Sequence, residues 1–462
     1  MIDSNVIEKA VYDLCVQANT TLPKEVFNKL LNAYNSEENL SAKNALGLIL
    51  QNAKMAYEKK MPLCQDTGQV LVFVRGKYFP DDLYKAVNNG VEKAYEETFF
   101  RKSVVEDAIF NRKNTQTNTP CIIYTEITDK EKIKIELLVK GGGSENVCSL
   151  KMLSPTSTEE EIIDYVVSVV EQAGSKGCPP YFIGIGIGGT MDYAALLSKK
   201  ALLLKENIDE KHDKLAEKVM AAANNLKIGA AGFGGGATVL DVKILTSQTH
   251  IACMPVAVTM NCHSSRHVKC IIEANGKIKS DLVFDYFNLP EGLGSSRDYI
   301  KIHTSEISRL KSLEKGQNIL LSGEIYTARD MAHKRLIEMI KKDEKLPFDL
   351  QDKIIFYTGP CPCEEPCVVG SIGPTTAARM DKYAPLLYEK GILATIGKGE
   401  RSEKIEITVK QAGGLYFTVI GGIACLLSER FIKKGLVGFK DLGPEAIYRF
   451  EVDNLPLQVA LV

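Results

Sequence analysis

The chain has 462 residues, room for two large domains or about three of ordinary size, and its 45% hydrophobic and 25% charged content excludes wholesale disorder and fibrous architectures. Lysine and arginine number 57 against 58 aspartates and glutamates. No global field therefore draws the protein to nucleic acid or to an anionic membrane, and any anionic ligand must be caught by local groups.

The N-terminal segment carries acids early and has Val6, Ile7, Val11, Leu14 and Ala18 at helical spacing. That is the pattern of a folded helix in a cytoplasmic protein, not of a signal or transit peptide. Residues 1–60 read as helices. Segments 121–126 and 133–139 read as the two strands of a hairpin, the second alternating Ile133, Ile135 and Leu137, and this hairpin runs into Lys140-Gly141-Gly142-Gly143-Ser144. A helix at about 158–173, a strand at 181–186, helices at about 191–205 and 209–226 and a second glycine-rich loop at 232–236 follow. Near 286–298, proline and glycine breaks mark a domain boundary. Beyond it come a strand at 318–325, a helix at 328–342, a strand at 353–357 and a Cys-, Pro- and Gly-rich loop ending at Gly373-Pro374. Thr375 is then expected to cap the next helix, whose N-terminus suits a carboxylate. The apolar stretch from Gly414 to Leu427 is too short for a membrane span and is broken by Gly421 and Gly422.

Twelve cysteines in a chain without a signal peptide point to a reducing compartment and not to disulfides. Cys15, Cys121, Cys148, Cys253, Cys270 and Cys425 lie in apolar or patterned segments and are expected in the core. Cys64, Cys178 and Cys262 sit in irregular turns instead. Three thiolates can hold an iron–sulfur cluster and leave one iron open as a Lewis acid, though from spacing alone isolated cysteines are more often small buried hydrophobes than ligands. Glycines 184, 186 and 189 fit a dinucleotide-binding fingerprint. The flanking pattern is not a regular βαβ unit, which favours close strand–helix packing. Arg101, Arg329, Arg379 and Lys398 are candidate anion binders: guanidinium grips carboxylate in two places, and several cations converging would hold a dicarboxylate.

Taken together, PLCQDTGQ, FRKSVVEDAIFNRKNTQTNTP, KGGGSEN, GCPP followed by GIGIGGT, a histidine twelve residues before Cys262 in NCHSSR, SGEIYTARDMAHKR and GSIGPTTAARMD resemble the class I, iron–sulfur-dependent fumarate hydratase and L-tartrate dehydratase family, with its α and β parts fused in one chain. The resemblance spans essentially the whole sequence. It implies a two-domain α+β and α/β architecture: an α-type cluster-binding domain over 1–286, a linker at 287–298 and a swivelling β/β/α domain over 299–462 that closes over the first. It implies that Cys64, Cys178 and Cys262 hold a [4Fe–4S] cluster. Gln65, Arg101, Gly142, Gly143, Arg329, Arg379 and Lys398 would contact the substrate, a small dicarboxylate. Thr375 and Asp66 would form the proton-transfer pair, with His250 also catalytic, and the protein would be a homodimer. The expected reaction is the reversible hydration of fumarate to L-malate. L-tartrate dehydration and mesaconate hydration are alternatives, and a non-catalytic iron–sulfur sensor is the alternative from another class. The loop Gly359-Pro-Cys-Pro-Cys-Glu-Glu-Pro-Cys367 departs from the family pattern. Its Cys361, Cys363 and Cys367 allow a second metal or a redox switch, and plain substitution is the expectation, since no fourth ligand is near.

Overall fold

The computed structural model describes residues 2–280, 289, 293 and 298–462. The chain divides into two compact units, Met1–Gly294 and Ser295–Val462. The expected linker at 287–298 falls largely outside the described residues.

Unit 1 opens with helices α1 (Ser4–Thr20), α2 (Lys24–Ser36) and α3 (Leu40–Lys59). It continues through β1 (Gln69–Gly76), α4 (Leu83–Glu97), β2 (Ile122–Ile127), β3 (Ile133–Lys140), the single turn α5 (Gly142–Glu145) and β4 (Ser149–Leu153). Next come α6 (Glu159–Ala173), β5 (Tyr181–Gly189), α7 (Met191–Ala201), α8 (Glu210–Asn224), β6 (Val239–Thr249), β7 (Met254–Asn261), β8 (His267–Ile272) and β9 (Ile278–Ser280). These strands form two sheets, one ordered β2-β1-β3-β8-β9 and one ordered β4-β7-β5-β6. Helix α1 buries Ile7, Val11, Leu14 and Ala18 in one cluster with Val70, Val72 and Val74 of β1, so the helical spacing seen in the sequence is a core stripe.

The expected hairpin does not form. Strand β1, with an interior of buried apolar residues, inserts between β2 and β3, pairing parallel with the first and antiparallel with the second. A strand buried on both faces lacks the alternation by which strands are recognised, and so it escapes a reading by period. The glycine-rich run of β5 is a packing device, as expected: a Cβ at Gly184 would lie 2.0 Å from the Ser198 carbonyl and one at Gly186 2.1 Å from that of Ala194, both on α7. The second glycine-rich loop also serves the fold, since Glu37 accepts the N–H groups of Gly236 (3.0 Å) and Ala237 (3.3 Å).

Unit 2 contains β10 (Ile300–His303), α9 (Ile307–Lys311), β11 (Asn318–Thr327), α10 (Asp330–Lys341), β12 (Ile354–Phe356), α11 (Ala384–Glu389) and β13 (Ala394–Gly397). It ends with α12 (Glu403–Gln411), β14 (Leu415–Thr418), α13 (Ala424–Ser428), β15 (Phe431–Gly438) and β16 (Ile447–Leu461). Strands β10 to β14 run parallel, and the long β16 pairs antiparallel with both β14 and β11, so the run β11-β12-β13-β14-β16 closes on itself. Closure leaves only β10 and β15 as edge strands of this sheet. Thr375 caps no helix. Only a 3₁₀ turn, Ala377–Met380, follows it, with Thr376 at its start and no side-chain cap, so the expected helix N-terminus for a carboxylate is absent there.

Of the six cysteines expected in the core, Cys15, Cys121, Cys270 and Cys425 are buried, and burial pushes the thiols of Cys121 and Cys270 up to about 12. Cys148 and Cys253 are only half-buried. In Cys148 the sulfur accepts the Met260 N–H at 3.3 Å, a polar use that leaves it at the edge of the core. The expectation of no disulfides is not met in the 359–373 loop, where Cys363 and Cys367 are joined in a disulfide while Cys361 is buried. A turn from Glu364 to Cys367 brings their Cα atoms to 6.0 Å, within bridging distance.

Candidate active site

In unit 1 the strand register gathers the candidates. Gln69 lies opposite Lys140, Leu138 opposite His267 and Phe182 opposite Asn261. The loops carrying Cys64, Gly141–Ser144, Cys178 and Cys262 therefore leave strands at neighbouring ends. Buried Asn19 and Asn52 peg the first of them: the Asn19 carbonyl accepts the Leu63 N–H (2.8 Å) and Asn52 Nδ2 donates to the Leu63 carbonyl (2.9 Å).

Asp66 joins three of the expected residues. Its Oδ1 pairs with Arg101 Nη2 at 3.0 Å and accepts the Gly68 N–H at 3.2 Å, and its Oδ2 accepts the Gly142 N–H at 2.8 Å. Gln65 and Arg101 are both buried, and Gly143 belongs to the same one-turn helix as Gly142. His263 ties the second and third cysteine loops together, donating from its backbone N (3.3 Å) and from Nδ1 (3.2 Å) to the Cys178 carbonyl. Arg266 ties the first to the third, with Nη1 donating to the Asp66 carbonyl at 2.7 Å and to Asn19 Oδ1 at 3.1 Å. Burial pushes the Cys64 thiol up to about 12, Arg266 opposes that rise, and Asp66, Cys262 and Cys178 add to it.

His250 is not brought to this group. It sits on an exposed turn ahead of β7, whereas Cys262 follows that strand, and eight strand residues separate them by roughly 27 Å.

In unit 2 the register does the same work at the carboxyl ends of parallel strands, where open and closed α/β sheets bind ligands. Tyr326 pairs with Ile355 and Phe356 with Ile396, so the segments after β11, β12 and β13 emerge side by side. Arg329 follows β11 and Lys398 follows β13. Thr375, buried, lies between them: its N–H donates to the Tyr357 carbonyl (2.7 Å) and its own carbonyl accepts the Lys398 N–H (3.1 Å). Arg379 is held by Asp330, donating from Nε at 3.1 Å and from Nη2. Arg329 Nη2 lies 3.6 Å from the same carboxylate and 3.2 Å from Glu445. Burial would raise the Asp330 carboxyl, but Arg379 and Arg329 more than reverse this and hold it below the usual range. Behind them, His333 is wholly buried and donates Nδ1–H to the Arg329 carbonyl at 2.8 Å; burial lowers it to about 4, so it is neutral.

No three His, Cys, Asp or Glu side chains among the described residues lie close enough to hold a single metal ion. An iron–sulfur cluster asks for something else, thiolates on different irons and an environment that tolerates their charge. Three thiols on three loops tied together by His263 and Arg266 answer the first requirement. A buried arginine, Arg266, whose Nε has no partner, answers the second. The residues fit the group.

Residues 8–271 match the family model for fumarate hydratase (fumerase), and residues 283–462 match the fumarase C-terminus model. The chain belongs to the class I fumarate hydratase family. Members of this family are hydro-lyases. The chain is 31% identical over 435 residues to "Fumarate hydratase class I, aerobic" of Salmonella typhimurium, covering 88% of this chain and 74% of that one. It is 29% identical over 440 residues to "Fumarate hydratase 1, mitochondrial" of Leishmania major, covering 88% and 79%. It is 39% identical over 288 residues to "Putative L(+)-tartrate dehydratase subunit alpha" of Methanocaldococcus jannaschii, covering 59% of this chain and 99% of that one.

Within this fumarate hydratase frame, four residues that sequence reasoning passed over stand beside the expected ones: Arg266, His263, Asp330 and His333. All four fall inside quoted motifs, NCHSSR and SGEIYTARDMAHKR. Only their burial and partners separate them from ordinary surface charges. No helix among the described residues is long and apolar enough to cross a membrane.

Proposed function

We propose that the chain is a [4Fe–4S]-dependent hydro-lyase that interconverts fumarate and L-malate, with Cys64, Cys178 and Cys262 as the cluster's protein ligands. The observation that carries this reading is the convergence, within each unit, of the family's expected residues: thiols with Asp66 and Arg101 in one, and Arg329, Thr375, Arg379 and Lys398 in the other. Bound to the three thiolates, the cluster supplies a Lewis acid for the departing hydroxyl.

The chain's own residues do the rest. Removing a proton beside a carboxylate builds a second negative charge on it, and fixed guanidinium and ammonium donors stabilise that charge best where water is excluded. Arg329 and Arg379 are already oriented by Asp330 and Glu445, so little reorganisation remains at the moment of reaction. Thr375 serves as one member of the proton-transfer pair and Asp66 as the other; a hydroxyl is a weak base alone and needs a neighbour to relay its proton. Gln65, Gly142, Gly143 and Lys398 contact the substrate. His250, exposed and at the far end of β7, joins the site when a second copy of the chain supplies it, in keeping with a homodimer. Swivelling of the β-type unit and a cytoplasmic location complete the reading.

L-tartrate dehydration is the second reading, favoured by the 39% identity over 288 residues to the archaeal α subunit. The two substrates differ by one hydroxyl on the same frame, a difference settled by pocket contacts. An anaerobic assay of the reconstituted protein with fumarate, L-tartrate and mesaconate side by side decides: fumarate is expected to give the highest kcat/KM. Preference for tartrate would replace the substrate, and a cluster-loaded protein inert toward all three would remove the hydro-lyase reading.

A further inference from the structure

Arg266 heads the fully buried side chains by volume, at 2% exposure. Its polar contacts are with neutral acceptors only, the Asp66 backbone carbonyl at 2.7 Å and Asn19 Oδ1 at 3.1 Å through Nη1. Among the described residues no carboxylate forms an ion pair with it, and its buried Nε has no hydrogen-bond partner. The nearby Asp66 side chain is engaged by Arg101, Gly68 and Gly142. A guanidinium withdrawn from water without a counter-charge is strongly unfavourable, so a protein that keeps one has a use for its charge.

The negative charge on offer comes from the cysteine loops. Arg266 closes the Cys262 loop and fastens it to the Cys64 loop. A second nitrogen, Nη2, comes within 3.2 Å of the position a side chain at Gly141 would take, so the guanidinium also faces the glycine turn beside Asp66.

We propose that Arg266 is the buried counter-charge of the iron–sulfur cluster, acting as a positioning residue: its fixed positive charge lets three thiolates persist inside unit 1 and holds the cluster's reduction potential up. This rests on the cluster reading given above. Net charge and hydrogen bonding set such potentials, and a nearby cation favours the reduced state, which carries one more electron.

The test uses full-length protein, anaerobically loaded with iron and sulfide, in wild-type form and as Arg266→Lys, Arg266→Met and Asn19→Asp. The last is isosteric and neutralises Arg266 in place, so it keeps the test decisive if Arg266→Met does not fold. Circular dichroism confirms folding, and the readouts are the one-electron midpoint potential in a dithionite titration and the rate of iron loss to a chelator. Arg266→Lys keeps the charge and is expected to stay near wild type. Arg266→Met and Asn19→Asp are expected to shift the reduction equilibrium at least roughly tenfold toward the oxidised form, about 59 mV for one electron, and to lose iron roughly tenfold faster. Folded variants with wild-type potential and wild-type iron retention overturn the proposal. If the wild-type chain itself takes up no iron and sulfide, the cluster reading fails, a result distinct from the failure of Arg266 alone.

Discussion

Asp330 shows how a single side chain can orient two others. It grips Arg379 through two oxygens and sits 3.6 Å from Arg329, so both guanidinium groups take their orientation from it. Because it is 30% exposed, solvent screens part of the interaction. Asp330→Asn is therefore expected to lower kcat/KM about 10- to 100-fold, about 1.4–2.8 kcal/mol, with iron content unchanged; kinetics alongside iron analysis check both halves. His333 adds a pH dependence. Its folded value of about 4 lies below the ordinary 6.5, so between those limits the unfolded chain binds the proton that the fold refuses. Stability is accordingly lost as pH falls from 6.5 toward 4, by about 3 kcal/mol. His333→Asn, which keeps a donor for the Arg329 carbonyl, should lose that much less over the same window. Urea unfolding at pH 6.5 and 4.5, between which about 2 kcal/mol of that loss falls, measures the difference by circular dichroism, since the chain contains no tryptophan.

Among the elements, the contact of β5 with α7 makes the most exacting demand on sequence. Glycines at 184 and 186 let the α7 backbone approach so closely that a methyl group at either would strike a carbonyl oxygen at about van der Waals overlap, 2.0 and 2.1 Å. Backbone cannot yield as a flexible side chain can, and β5 is central to its sheet, held between β7 and β6. Gly186→Ala should therefore destabilise unit 1 by about 3 kcal/mol or more, seen as a lower thermal midpoint, whereas Gly435→Ala, with nothing near its added carbon, should not. A dinucleotide site at these glycines would instead predict NAD-dependent protection against heat, and none is expected. The same strand starts three residues after Cys178, so loosening it should also loosen that proposed cluster ligand.

At the scale of the whole molecule, the proposed ligand cysteines all precede residue 263, and Arg329, Arg379 and Lys398, the cations proposed for the substrate in the other unit, follow residue 328. If both sets serve one reaction, their variants must fail differently. Cys178→Ser is expected to abolish both the brown colour and turnover, while Arg379→Ala should keep the visible spectrum and lose about two to three powers of ten in kcat/KM. Equal iron loss in both would mean that Arg379 supports the fold and not the substrate. Near-normal kinetics in Arg379→Ala would take unit 2 out of the reaction.

The motifs, their order, the three loop cysteines and the helical stripe of α1 were all legible in the residues alone, because each depends on local chemistry or on a period of a few positions. The family followed from seven motifs in order, none of which is specific alone. What the residues could not disclose was pairing. The insertion of β1 between β2 and β3, and the return of β16 to β11, are contacts between distant segments, and the register of those pairs decides which loops emerge together. The same holds for charge. Arg266 and Asp330 look like any surface ion in the sequence; burial to 2% made one a counter-charge, and a neighbour 49 residues away made the other a clamp. Local chemistry determined which residues were available to act, and tertiary structure decided which act together, because an electrostatic interaction takes its strength from distance and from the exclusion of water, and neither is a property of a sequence.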